Sequence, residues 1–255
     1  MDTVLREIRK KLVILQNRRP FAPEVRSYLN DLENREWLSM NFRMSGSVLT
    51  PADVDAILEG ECILHATVAD HMMMQRLAEL RNYIYRMADM RSDLSLQMIR
   101  DMHGILTGDA GADFRKGNPV LLEYGYNPMI PSDIPEAMKE LADFAGKSET
   151  GENPFLKAAR VHNRIIEIYP YTEESPALAR AAMYYMIVRS GCPMAALDLS
   201  EQEYNAQIIT YLSGGSSGKL AESLTGAVYS RLELMMQLTG YNEPGESQNE
   251  SKNHK

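Results

Sequence analysis

The chain has 255 residues, of which 44% are apolar and 24% are charged, and its formal net charge at pH 7 is −8. That length and apolar content can supply the core of one large domain. The negative charge argues against general binding to nucleic acid or anionic membranes, and no apolar run approaches the ~20 residues of a membrane span. Cys62 and Cys192 are isolated and no secretory signal is evident, so we expect reduced thiols and a cytoplasmic location.

Apolar periodicity predicts a mainly α protein, beginning with several helices. Residues 1–40 are expected to form two helices separated by R-R-P-F-A-P. Thr50 then caps a short helix that has Pro51 at its first position. A long helix is expected to follow, from about Cys62 to Met90.

The end of the chain changes in composition. The glycine-rich segment S-G-G-S-S-G at 213–218 is expected to separate the last two helices, and the polar tail 241–255 is predicted to be disordered. We therefore divide the chain into an N-terminal helical extension (1–60), a main domain (61–240) and the tail.

The segment Y-P-Y-T-E-E-S-P-A-L-A-R, residues 169–180, lies between two further predicted helices. The first helix has an amphipathic pattern and is ended by Pro170. The second begins at Pro176 and runs to about Arg189. Ser175 is a favoured N-cap residue, and proline suits the first helical position.

This helix, loop and helix resemble the Fic (Fido) family, whose motif reads H-P-F-x-D/E-G-N-G-R-x-x-R. Pro170, Tyr171, Glu173 and Arg180 match that motif. The resemblance implies the helical Fic fold with a small β-hairpin flap. It also implies a site that in active members transfers AMP from ATP, with magnesium, to a hydroxyl group.

Five positions depart from the family motif. Tyr169 stands where the family has the histidine that accepts the hydroxyl proton. A phenol is a poor base at neutral pH, and loss of a general base typically lowers the rate by about 10²- to 10⁴-fold. Glu174, Ser175 and Pro176 replace Gly-Asn-Gly, whose backbone N–H groups cradle phosphates. Ala177 replaces the first motif arginine.

These departures predict loss of the nucleotide site. Pro176 has no N–H to donate, and Glu174 places a negative charge beside the anion position. At ~5 Å and an effective dielectric of ~20, one like-charge pair costs roughly 3 kcal/mol, which is more than a hundredfold in affinity. A lone carboxylate is a poor magnesium site, so Glu173 is interpreted as a solvated loop residue. We expect no cofactor, and neither ATP nor magnesium to bind.

Residues 36–51 resemble the inhibitory segment of Fic proteins, whose pattern is S/T-x-x-x-E-G/N. Asn41 replaces the Ser/Thr, Ser45 replaces the glutamate, and Gly46 is kept. In the family that glutamate pairs with the arginine at the position of Arg180 and blocks productive ATP binding. Beside the altered loop, its loss indicates that no activity remains to restrain. A plain turn between helices is the alternative interpretation of the segment.

A flap is expected after Gly111, Phe114 and Arg115, which match the G-x-x-F/Y-R that opens it in the family. In active members the flap hairpin holds a target segment by β-strand addition. The candidate target-binding residues are Val120, Leu121, Leu122, Glu123 and Tyr124.

Four histidines could be mistaken for functional groups. His103 and His162 fall on helix faces beside apolar neighbours, so we predict buried, hydrogen-bonded histidines rather than bases. His65 and His71 flank Asp70, but a spacing of six residues does not place ligands on one helical face. No metal site is predicted.

Two functional classes remain open. In the first, the chain is a Fic pseudoenzyme that cannot transfer AMP and binds a protein, such as a second copy of itself or an active Fic relative. In the second, it is a divergent transferase that uses ATP and magnesium, or another donor, and reuses Tyr169, Glu173 and Arg180. The expected partner of Arg180 is a carboxylate such as Glu173, or carbonyls at helix ends; the alternative is an anionic ligand or a partner's acidic side chain.

Overall fold

The computed structural model describes residues 2–147 and 152–240. These residues form ten α-helices and one short 3₁₀ turn, Pro131–Asp133, which confirms the mainly α prediction. The helices are α1 (Asp2–Asn17), α2 (Pro23–Met44), α3 (Pro51–Leu58), α4 (Val68–Asp89), α5 (Leu96–Thr107), α6 (Ile134–Gly146), α7 (Pro154–Ile168), α8 (Ser175–Arg189), α9 (Glu201–Leu212) and α10 (Gly218–Leu238). The predicted disordered tail, 241–255, lies outside the described residues.

Helix α8 lies at the centre of the fold. It packs along α7 and also contacts α4 and α5. Its side chains are apolar on all sides and almost all are buried, including Tyr184 and Tyr185. A helix that is apolar all round requires neighbours on every face. The loop 169–174 at its N-terminus is therefore attached to the most buried helix of the described residues.

Trp37 fixes α2 against this centre. Its side chain is 1% exposed, its Nε1 donates to the Leu77 carbonyl at 2.8 Å, and its ring meets the Tyr184 ring edge-on at 5.5 Å. Residues four apart share one face of a helix, so Trp37, Asn41 and Ser45 face the same side. Docking of Trp37 thus directs Asn41 and Ser45 towards α8.

The first and last helices pack on each other. Lys11 of α1 forms an ion pair with Glu233 of α10 at 2.5 Å, and Arg18 donates to the Thr239 hydroxyl at 2.8 Å. Buried residues of 1–60 belong to the same apolar core as those of 61–240. The boundary between these two segments stays a prediction from the sequence.

Helix α4 begins later than the sequence pattern predicted, at Val68 rather than near Cys62. Thr67 Oγ1 accepts from the Asp70 backbone N–H at 3.1 Å, while the Asp70 carboxylate accepts from the Thr67 backbone N–H at 2.8 Å. This reciprocal capping box satisfies two N–H groups and sets the start of the helix. A second box, between Thr50 and Asp53, confirms the predicted start of α3.

The predicted flap hairpin is not confirmed. Leu121 and Tyr126 form one isolated antiparallel bridge, with a turn between them. Leu121 and Tyr124 are buried, whereas Val120 and Leu122 are 77% and 85% exposed. Leu121 and Tyr124 both pack on the core, and this packing holds the backbone in a compact turn instead of an extended strand.

None of the helices in the described ranges is both long and apolar enough to cross a membrane.

Candidate functional site

The loop between α7 and α8 is held at its start by Arg115, which is buried. Its Nε donates to the Tyr169 carbonyl at 2.7 Å, and its backbone N–H donates to the Pro170 carbonyl at 3.0 Å. Further guanidinium nitrogens donate to the carbonyls of Ile168 at 3.2 Å and Gly117 at 2.8 Å. The last carbonyls of a helix lack intrahelical partners and favour a nearby cation. Arg115 therefore ties the base of the expected flap to the end of α7.

Ser175 closes the loop from the other side. Its hydroxyl donates to the Tyr171 carbonyl at 2.8 Å and accepts from the Tyr171 backbone N–H at 3.1 Å. The buried Tyr171 ring stacks on His103, with the ring centroids 3.6 Å apart. His103 Nε2 lies 3.2 Å from the Glu173 carbonyl oxygen. His103 thus positions the loop, in agreement with its predicted structural role.

The predicted N-cap at Ser175 is wrong. The cap position is occupied by Glu174, whose side chain makes no capping hydrogen bond, and Ser175 is the first helical residue. The physical reason is the competing pair of bonds between Ser175 and Tyr171. Pro176 lies in the first turn as predicted. Glu174 has φ of 58°, a left-handed conformation that favours glycine.

We expect Glu174→Gly to be more stable than Glu174→Ala by about 1 kcal/mol, because only glycine adopts this φ without strain from its Cβ. Both variants lose the same carboxylate, so their difference isolates the backbone term. Urea unfolding followed by circular dichroism measures it. Equal stability of the two variants would show that the left-handed position is not strained.

Tyr169 is the residue in the position of the expected base. It is 7% exposed and ends α7 with φ of 49°. Burial raises the pKa of its phenol, and the nearby carboxylates of Glu123 and Glu174 raise it further. The hydroxyl therefore stays protonated at neutral pH and cannot serve as a general base there.

Arg180 is fully buried and is held by two neutral side chains of α2 and its C-terminal end. Its Nε donates to Asn41 Oδ1 at 2.9 Å, and its Nη2 donates to Ser45 Oγ at 3.0 Å. The expected carboxylate partner is wrong: Glu173 is exposed, and Arg180 forms no ion pair within the described ranges. Nη1 has no hydrogen-bond partner there either.

Behind Arg180 lies a buried polar network that sequence reasoning did not connect to it. The guanidinium carbon is 5.6 Å from the centre of the Tyr204 ring. The Tyr204 hydroxyl and His162 Nε2 are 2.7 Å apart, and His162 Nδ1 lies 2.8 Å from Asn163 Oδ1. Asn163 Nδ2 then donates to the Ser217 hydroxyl at 3.0 Å. His162 is buried and hydrogen-bonded as predicted, and burial lowers its pKa to about 4.

A cavity of about 370 Å³ opens beside Arg180, between α2, α4 and the start of α8. Asn41, Ser45 and Glu174 line it together with the arginine. Burial raises the pKa of the Glu174 carboxyl, although Arg180 acts in the opposite direction. The end of α2 and the loop before α8, which are distant in sequence, therefore meet at one cavity.

Glu173 and the set formed by His65, Asp70 and His71 are not predicted to bind a metal, and the structure shows what surrounds them. Glu173 is exposed, as its interpretation as a solvated loop residue requires. His65 Nε2 lies 3.3 Å from Asp53, and Asp70 caps α4. No group of three or more His, Cys, Asp or Glu side chains within 2–147 and 152–240 could hold a metal ion.

Residues 93–187 match the model of the Fic/DOC family. A Fic domain-containing signalling protein from Bacteroides thetaiotaomicron is 20% identical with a TM-score of 0.74, covering 94% of this chain and 100% of that one. Fic-1 from C. elegans is 17% identical with a TM-score of 0.73, covering 94% and 73%. A Fic family protein from Desulfovibrio desulfuricans G20 is 13% identical with a TM-score of 0.64, covering 94% and 76%. No curated protein matches the chain.

Proposed function

From the premise that this chain carries a Fic domain, we propose that it is a pseudoenzyme that cannot transfer AMP and that acts as a protein-binding or regulatory scaffold. The observation that carries this proposal is the setting of Arg180. The arginine is engaged by the neutral side chains of Asn41 and Ser45, and Glu174 lines the same cavity. A triphosphate bound in this cavity would lie beside one arginine and at least one carboxylate.

The state of Tyr169 adds independent support. Its buried phenol holds its proton at neutral pH, as the direction of its pKa shift indicates. A reaction that needs a base at this position would have none. Loss of the base and loss of the phosphate cradle act on different steps, so restoring one leaves the other missing.

We expect ATP with magnesium not to bind at physiological concentration, and Tyr169→His alone to give no AMP transfer. The phosphate position would still lack N–H donors, since Pro176 has none and Glu174 repels anions. Calorimetric titration with ATP and magnesium, and labelling with an ATP analogue, measure the two outcomes. Heat-denatured Tyr169→His is the control for non-enzymatic labelling.

Micromolar ATP binding by the parent chain would contradict the proposal and favour a divergent transferase. Labelling by Tyr169→His would show that the altered loop still supports phosphate transfer. Labelling with a donor other than ATP, if it is lost on the substitution Arg180→Met, would assign the second functional class.

The proposed protein-binding surface is the exposed part of the expected flap. Val120 and Leu122 are largely exposed although they are apolar. We expect the double substitution Val120→Ser and Leu122→Ser to abolish capture of the protein partner, with a stability change within about 0.5 kcal/mol because both side chains face solvent. Pull-down, with a second tagged copy of the chain tested alongside, measures capture.

Val13→Ser is the matched control, since Val13 is an apolar residue of α1 with 62% exposure. It should capture the partner as the parent does. Loss of capture in both variants would indicate a non-specific apolar contact, and retention in both would place the interaction elsewhere.

A further inference from the structure

The solvent-facing side of α4 is apolar where the helix begins. One stripe of exposed side chains runs along α4 at helical spacing and comprises Val68, Met72, Gln75, Glu79, Asn82 and Arg86. From Gln75 onwards this stripe is polar, as expected for a surface helix. Val68 and Met72 are 77% and 45% exposed, and Leu64, in the loop just before α4, is fully exposed. We call Leu64, Val68 and Met72 the α4 patch.

The α4 patch has no role in the packing of the domain. The buried residues of α4, such as Leu77 and Ile84, lie on the opposite side of the helix and join the core. Exposed apolar side chains that cluster on an otherwise polar surface are typical of protein contacts. Methionine suits such a contact, because its flexible side chain adapts to the surface that it meets.

We infer that the α4 patch binds the same patch of a second copy of this chain, with the two α4 helices antiparallel about a two-fold axis near Met72. A patch that contacts its own copy forms a closed dimer, because both surfaces are then occupied. This inference goes beyond the proposed function, which concerns the loss of AMP transfer and the binding of a protein at the flap.

The charges along the helix fit this antiparallel arrangement. Glu79 is seven residues after Met72, and α4 begins four residues before Met72, so Glu79 comes beside the N-terminus of the partner's helix. A carboxylate is favourable near the positive end of a helix dipole. Glu79 is exposed and forms no ion pair with the described residues, so its carboxylate is available for this contact. The two-fold axis repeats the contact on the other side of the dimer.

Sedimentation velocity of the full chain tests the inference. We expect the parent to form a reversible dimer at about 100 µM, since small interfaces are weak. The acidic variant, Val68→Glu with Met72→Glu, brings like charges together across the axis and should self-associate at least about tenfold more weakly. The basic variant, Val68→Lys with Met72→Lys, should be weakened in the same way.

Mixing the two variants identifies the occupant of the patch. Opposite charges then meet across the axis, so an equimolar mixture should dimerise although neither variant does so alone. A monomeric parent or a dimer that persists in the acidic variant would overturn the inference. A mixture that stays monomeric would also overturn it, and would leave the patch for a different protein.

The helical circular-dichroism signal of both variants should match that of the parent, because the replaced side chains face solvent. Val13→Ser and the flap variant, Val120→Ser with Leu122→Ser, should dimerise as the parent does. The two proposals therefore fail separately. A flap variant that still captures its partner leaves the dimer in place, and a monomeric parent leaves the ATP titration and the labelling assay unaffected.

Discussion

Arg180→Ala is expected to lower the free energy of unfolding by about 3 kcal/mol. The substitution leaves a cavity in the core and removes the donor to Asn41 Oδ1, which is itself buried. Part of that loss of stability is offset because the substitution also removes a buried charge that forms no ion pair in the described ranges. Urea unfolding followed by circular dichroism measures the change.

Arg180→Met is the matched control, since it fills most of the same volume without a charge. We expect it to be clearly more stable than Arg180→Ala, because it restores the packing against Tyr204 while still lacking the hydrogen bonds. If Arg180→Ala melts like the parent, the arginine contributes no net stability. Its retention would then be explained by ligand or partner binding alone.

Stability should fall by about 3 kcal/mol between pH 6.5 and pH 4 because of His162. Burial lowers the pKa of His162 to about 4, below the value of ~6.5 in an unfolded chain, so the unfolded state binds the proton more tightly in this window. The contribution is therefore complete above pH 6.5 and is lost as the pH falls to about 4. Each pKa unit corresponds to about 1.4 kcal/mol.

His162→Gln should remove this part of the pH dependence, and His65→Gln should not. His162 is fully buried between Tyr204 and Asn163, whereas His65 is exposed. The free energy of unfolding is measured at pH 7.5 and pH 4.5 for the parent and the two variants. The contribution of carboxylates to the pH dependence is common to all three and cancels in the comparison. An unchanged pH dependence in His162→Gln would mean that His162 is not held neutral in the folded state.

Local chemistry made much of the fold predictable. The Thr50 cap, the glycine-rich break at 213–218 and the end of α7 before Pro170 depend on residues within a few positions of one another. Where two local signals competed, the sequence pattern misplaced the start of the helix or its capping residue. Helix α4 starts at the Thr67 capping box rather than near Cys62, and the Ser175 hydroxyl binds Tyr171 instead of capping α8.

The flap shows the limit of strand propensity. The segment is rich in residues that favour strands, yet Leu121 and Tyr124 are buried and a single bridge forms. Packing of individual side chains on a core outweighs the preference of a short segment, because propensities amount to less than the burial of an aromatic ring.

By itself, the sequence determined the helical class and the order of the helices, while the departure of residues 169–177 from the Fic motif stays a prediction from the resemblance. Only the tertiary structure decided what the retained Arg180 contacts. Its partners Asn41 and Ser45 are 139 and 135 residues away in sequence. Hydrogen bonds over such separations depend on how α2 docks through Trp37 onto α4 and α8, and no local pattern encodes that docking. The cavity beside Arg180, which Glu174 also lines, follows from the same packing.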